Sequence, residues 1–214
     1  MEDTTSYTKE SEYYSAATTT DLGEFSVTSC IEAVVPLTPE IKVRINELIP
    51  ILTFKKGEFI LRSGDVSVKN YGILKGCIRK YYEVDGDEKT TFFYTEDQSI
   101  LASSPKDNGE RVRYNLVCVE DCVLTMATEE CIQELLRLVP ELEKLRFMSY
   151  QDEMAQYQEM LDTYITSSPE ERYLRIINDR PELLNRVPQY QLASYLGVKP
   201  ESLSRIRKRI VTKK

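Results

Sequence analysis

The 214-residue sequence contains no histidine, and that absence removes several chemistries at once. A Ser-His-Asp or Cys-His nucleophile, a zinc site with imidazole ligands and a His-ligated haem each need a side chain this chain lacks. Cysteine is sparse: Cys30, Cys77, Cys118, Cys122 and Cys131 are odd in number and form no Cys-x-x-Cys pair. They read as reduced, mostly buried thiols, and Cys118 with Cys122 on an apolar strand reads as core filling rather than as cluster ligands. No glycine-rich phosphate loop is present, and no nucleophile has an obvious activating base, so an enzyme is not expected and no cofactor or metal is assigned. No apolar run approaches about 18 residues and no basic-then-apolar leader follows Met1. The expectation is a cytoplasmic protein, with no membrane as partner.

Charge is unevenly placed. From Pro188 to Lys214 seven basic residues stand against one acidic, a local charge of +6, while the whole chain carries −7, leaving −13 on residues 1–187. An acidic body with a basic end points to a polyanion at that end. The stretch from Val187 to Ile210 reads as two short helices around a tight turn. Leu192 and Leu196 lie one helical turn apart, Gly197 supplies the left-handed position that ends the first helix, and Pro200 begins the second. In that second helix Leu203, Ile206 and Ile210 form one inward stripe. The opposite stripe carries Glu201, Ser202, Arg205, Lys208 and Arg209, the chemistry of a helix lying in a DNA major groove. Arg205 suits guanine, Glu201 suits cytosine or orients that arginine, and Ser202 and the later basic residues suit phosphates. Gln189, Lys199 and Pro200 complete the expected DNA-binding set. The bland alternative is a helical hairpin with a solvated basic face; a rival of another class is a ligand-binding or protein-interaction module whose terminal helices meet a protein.

Residues 1–28 are rich in Ser, Thr, Glu and Tyr and read as a disordered or loosely docked arm. Thr38-Pro39-Glu40 opens a helix that Pro50 ends. From Ile51 to about Thr128, short β-branched and aromatic runs alternate with turns. Asp85-Gly86, between Ile78–Tyr82 and Thr90–Tyr94, is a hairpin signal, and the strand spacing argues for an antiparallel barrel or roll. After a helical piece capped by Thr128 and a break at Pro140, the longest helix runs to about Thr166. Its Phe147, Tyr150, Met154, Tyr157, Leu161 and Tyr164 are spaced three and four apart. They are expected to form a two-chain seam, the alternative being that this face, or part of it, packs on the chain's own barrel. Ser167-Ser168-Pro169-Glu170-Glu171 reads as a hinge and cap.

In this order of parts the chain resembles the Crp/Fnr family of bacterial transcription regulators. The resemblance spans about Leu37 to Ile210 and rests on Lys56-Gly57-Glu58-Phe59-Ile60-Leu61, Gly64-Asp65, Gly72-Ile73-Leu74-Lys75-Gly76, Glu171-Arg172-Tyr173 and Leu192 to Arg209. It implies an α+β fold: a β-roll or jelly-roll sensor domain over 29–139, a dimerisation helix over 140–166 and a helix-turn-helix domain over 167–214. It implies a homodimer on double-stranded DNA and, for an activator, contact with RNA polymerase. Glu201 and Arg205 match the family's base-reading pair, whereas Pro200 stands where many members have another arginine. Cyclic-nucleotide-binding members carry a Gly-Glu followed about ten residues later by Arg-Ser or Arg-Thr; in the matching region, Gln98 to Tyr114, the one Gly-Glu, Gly109-Glu110, is followed by no such pair. Ser103, Ser104, Arg111 and Arg113 remain as a candidate anion pocket, and cyclic AMP is not expected to bind.

Overall fold

The computed structural model describes residues 26–66, 68–103 and 111–212; most of the expected arm, and Ser104 of the expected anion pocket, lie outside them. The arm's boundary shifts: α1 (Val27–Glu32) already begins at Val27, capped by Ser26, and Thr28 is buried. Helix α2 (Pro39–Leu48) starts as its sequence dictates, with Thr38 Oγ1 accepting from the Ile41 amide and a proline in the first turn.

Among the described residues eight strands follow: β1 (Ile51–Phe54), β2 (Phe59–Leu61), β3 (Val68–Lys75), β4 (Ile78–Val84), β5 (Asp87–Tyr94), β6 (Ser99–Ser103), β7 (Asn115–Cys118) and β8 (Cys122–Thr128). They form two antiparallel four-stranded sheets, ordered β1-β8-β3-β6 and β2-β7-β4-β5, folded into a jelly-roll-like body. The β4–β5 hairpin closes at Asp85 (φ 54°) and Gly86 (φ 81°). Two successive left-handed residues are what a two-residue loop between right-twisted strands requires. At the β3–β4 turn Gly76 has φ 112°, and a Cβ there would lie 2.8 Å from the Cys122 Cα, so no other residue fits.

The second sheet is buried on both faces, which explains the unbroken apolar run Phe92-Phe93-Tyr94. Ile78, Phe92 and Tyr94 point into the roll with Ile73, Ile100, Leu116 and Leu124. Cys77, Phe93 and Val119 point out, into a second core shared with the terminal helices.

Thr128 caps α3 (Glu129–Leu138), and α4 (Leu142–Thr166) is the long helix. A third small core joins Ile45 of α2 to Val139 and Leu142 at the start of α4. The expected seam is split. Tyr157 packs on the roll with its hydroxyl 3.0 Å from that of Tyr94, and the half-buried Tyr150 accepts from Arg146. Phe147, Met154 and Leu161 stay exposed, as does Ile165. At about 3.6 residues per turn the two sets lie roughly 60° apart on the helix, so one edge of the stripe faces the chain's own roll while the other faces away. The roll offers the matching groove that the sequence reading did not anticipate.

Beyond Ser167, α5 (Pro169–Asp179) opens with a reciprocal capping box between Ser168 and Glu171. Then come α6 (Leu183–Arg186), α7 (Gln189–Tyr195) and α8 (Pro200–Thr212). No helix among the described residues is long and apolar enough to cross a membrane.

Candidate functional site

Helices α7 and α8 are joined at Gly197, whose φ of 69° only a glycine adopts freely. The Gly197 amide donates to Ser194 O and the Val198 amide to Ala193 O, both at 3.0 Å, the pair of hydrogen bonds of a glycine-terminated helix. Leu192, Ala193, Leu196, Leu203 and Ile206 are buried between the helices and α5. That burial fixes which side of α8 is free. Lys199, Pro200, Glu201, Arg205, Lys208 and Arg209 are exposed and Ser202 half-buried, while Gln189 is exposed at the start of α7. Ser202, Arg205 and Arg209 line an open hollow of about 480 Å³ with Pro169, Val198 and Ile206.

One member of the set is engaged elsewhere. Arg209 Nη2 lies 2.7 Å from Glu170 Oε2 of α5, so its charge is directed at a carboxylate of the chain itself. Arg205 and Lys208 are in none of the ion pairs found among the described residues.

The α7–α8 unit is held in place by residues the sequence reading did not assign to it. Arg172 of α5 donates to the carbonyls of Tyr164, Ser167 and Leu196, at 3.2, 2.5 and 2.9 Å, and lies 4.8 Å from the Tyr164 ring centre. Tyr164, expected in the seam and still exposed, also abuts Gly197: its hydroxyl would be 3.0 Å from a Cβ placed there. On the roll side, Arg186 of α6 donates to both oxygens of Glu96 and to Glu120. These bonds hold the Glu96 carboxyl down at about 2, with the Gly76 amide assisting, and push the Arg186 guanidinium up. Ser194 of α7 accepts from the Thr90 amide at 2.9 Å and donates to Glu88 O at 2.6 Å. Phe93 meets Tyr195 edge-on at 5.3 Å.

Of the candidate anion pocket, Ser104 lies outside the described residues. Arg113 is exposed, and Arg111, also exposed, donates to the Gly64 carbonyl at 2.6 Å, where it braces a turn. Ser103 ends β6 opposite Val68. What lies between the roll and α4 is a cavity of about 150 Å³ lined by Phe92, Tyr94 and Tyr157 with Asp97, Asp152 and Glu153 among its polar residues. Among the described residues, its lining holds no lysine or arginine. Burial raises the Glu153 carboxyl and lowers the neighbouring Lys80 ammonium, which sits 4.2 Å from the Tyr114 ring centre. Cys77, Cys118 and Cys122 are free and buried, with burial pushing the Cys77 thiol up to about 12.

Residues 51–138, which hold all eight strands and α3, match the cyclic nucleotide-binding domain family. The chain as a whole is similar to CLP, the c-di-GMP-responsive global regulator of Xanthomonas campestris. The TM-score is 0.64 at 15% identity, covering 82% of this chain and 93% of that one. It is also similar to a CooA mutant from Carboxydothermus hydrogenoformans, with TM-score 0.64 at 11% identity over 92% of this chain and 87% of that one. A third similar structure is FixK2 from Bradyrhizobium japonicum, with TM-score 0.60 at 14% identity over 77% and 85%. No curated protein matches in sequence. Roll, long helix and terminal helices in this order are the fold of Crp/Fnr-type regulators.

Proposed function

We propose that the chain is a homodimeric, sequence-specific DNA-binding transcription regulator whose roll is a sensor that does not bind cyclic AMP. The observation that carries this reading is the free face of α8: Glu201, Arg205 and Lys208 exposed on the side opposite the buried Leu203 and Ile206. An exposed arginine and glutamate one turn apart present a guanine-reading fork with its orienting carboxylate, and Lys199 and Lys208 flank them for phosphates. The fold shared with known regulators supports the same reading.

The exposed stripe Phe147, Met154, Leu161 and Ile165 of α4 supports a dimer. A second copy would bury these side chains at about 1.5–3 kcal/mol each. Two α8 helices would then address half-sites about 34 Å apart on an inverted repeat. For the sensor, Tyr71, Phe92, Tyr94 and Tyr114 are in the packed roll core, and the cavity that remains is small and acid-lined. A phosphate anion finds no basic side chain among the described residues of that lining.

Selection from a randomised duplex library with the purified protein tests the reading, with Arg205→Ala as control. An inverted repeat recovered by the wild type and lost in the variant is the expected result. A motif recovered equally by both proteins would overturn the assignment.

A further inference from the structure

We propose that the free edge of β5 is a docking rail for the terminal unit, and that Ser194 is the positioning residue that sets the orientation of α8. The inference rests on the DNA-binding reading and names how that site is aimed.

Strand β5 ends its sheet, in the order β2-β7-β4-β5, so its outer N–H and C=O groups have no strand to pair with among the described residues. One hydroxyl takes both roles there. Ser194 Oγ accepts from the Thr90 amide and donates to the Glu88 carbonyl, standing in for the backbone of an absent strand. The two partners are more than a hundred residues apart in sequence, so nothing local accounts for the contact.

A single contact would leave the unit free to pivot. The second is at the other end of the same strand, where Arg186 grips Glu96, just past Tyr94. The strand runs on from Thr90 to Tyr94, roughly 13 Å at about 3.3 Å per residue, before the chain turns at Glu96. Two contacts that far apart fix a rotation as well as a distance. The rigid turn at Gly197 then carries the position of Ser194 directly into α8. Ser194 itself lies against the roll, so its loss removes no group from the exposed reading face.

Orientation matters for base contacts far more than for phosphate attraction. Base edges are read by hydrogen bonds with a narrow angular range, whereas phosphates attract a lysine from many directions.

The full-length variants Ser194→Ala and Arg186→Met test the proposal, by amide exchange and by affinity for two duplexes. These are the duplex recovered by the wild type and a random duplex of equal length. In Ser194→Ala, exchange at the Thr90 amide should accelerate about tenfold or more while the Leu203 and Ile206 amides hold their rates. Affinity for the recovered duplex should fall about tenfold in each variant, and for random DNA by less than about twofold. Unchanged exchange at Thr90, or equal losses on both duplexes, would overturn the proposal. A wild type that recovers no duplex would sink the DNA reading, and the Thr90 exchange would still decide the docking.

Discussion

Arg186 of α6 and Glu96 beside β5 meet in a two-pronged ion pair, each nitrogen 2.8 Å from its own carboxylate oxygen, across a junction 90 residues deep in sequence. Glu120 joins the same guanidinium, and the Gly76 amide donates to Glu96 at 2.8 Å. A planar fork answers carboxylates in a way that a lysine cannot.

This pair predicts a specific acid response. Bonds from Arg186 hold the Glu96 carboxyl at about 2 in the folded chain, against 4.5 as its ordinary value. Because the folded value is the lower one, the pair's contribution is complete above pH 4.5 and drains away as pH falls from there toward 2. The urea midpoint of the wild type should therefore drop more steeply across that window than that of Glu96→Gln. Parallel pH profiles for the two proteins would contradict the pairing.

On DNA, three arginine and lysine positions should separate. Arg205→Ala should cost about 1–3 kcal/mol on the selected duplex and little on random DNA. Lys208→Ala should weaken both and reduce the salt slope by about 1. Arg209→Ala should change the slope less than Lys208→Ala, because Glu170 already occupies its guanidinium. Fluorescence anisotropy over a salt series reads all three, and an Arg209 effect as large as that of Lys208 would count against the ion pair.

Leu161→Lys with Met154→Lys should give a monomer in sedimentation velocity at concentrations where the wild type is a dimer. Both side chains are more than half exposed in the single chain, so the substitutions cost the fold little. A monomeric wild type would remove the proposed seam.

Gly76→Ala should destabilise by about 2–5 kcal/mol, since its φ of 112° is strained for any side chain and the new methyl would press on Cys122. Gly86→Ala, with φ 81° but open space around it, should cost less. Thermal unfolding of the two variants ranks these effects, and equal losses would place the cost in the backbone alone.

Calorimetric titration with cyclic AMP should show no binding in the micromolar range. Micromolar or tighter binding would show that the roll forms an anion site its described residues do not present.

Much of the molecule is legible in the sequence because it is encoded over short spans. The turn at Gly197, the stripe Leu203–Ile206 that leaves Glu201 and Arg205 outside, the Asp85-Gly86 hairpin and the Thr38 and Thr128 caps each depend on residues a few positions apart. There, helix and strand periods translate directly into faces. The strand spacing and the acidic body with its basic end belong to the same class. Tertiary structure alone decided where those faces go. Tyr157 shares a stripe with Phe147 and Met154, and periodicity cannot say that the roll takes one edge of it. Arg209 sits among the basic residues of α8, and only folding brings Glu170 to it. Ser194 and Arg186 carry no local signal of their tasks, because their partners Glu88, Thr90 and Glu96 are 90 or more residues away and Glu120 is 66 away. A hydroxyl meeting a strand edge, or a guanidinium meeting two carboxylates, becomes readable only once the chain has closed on itself.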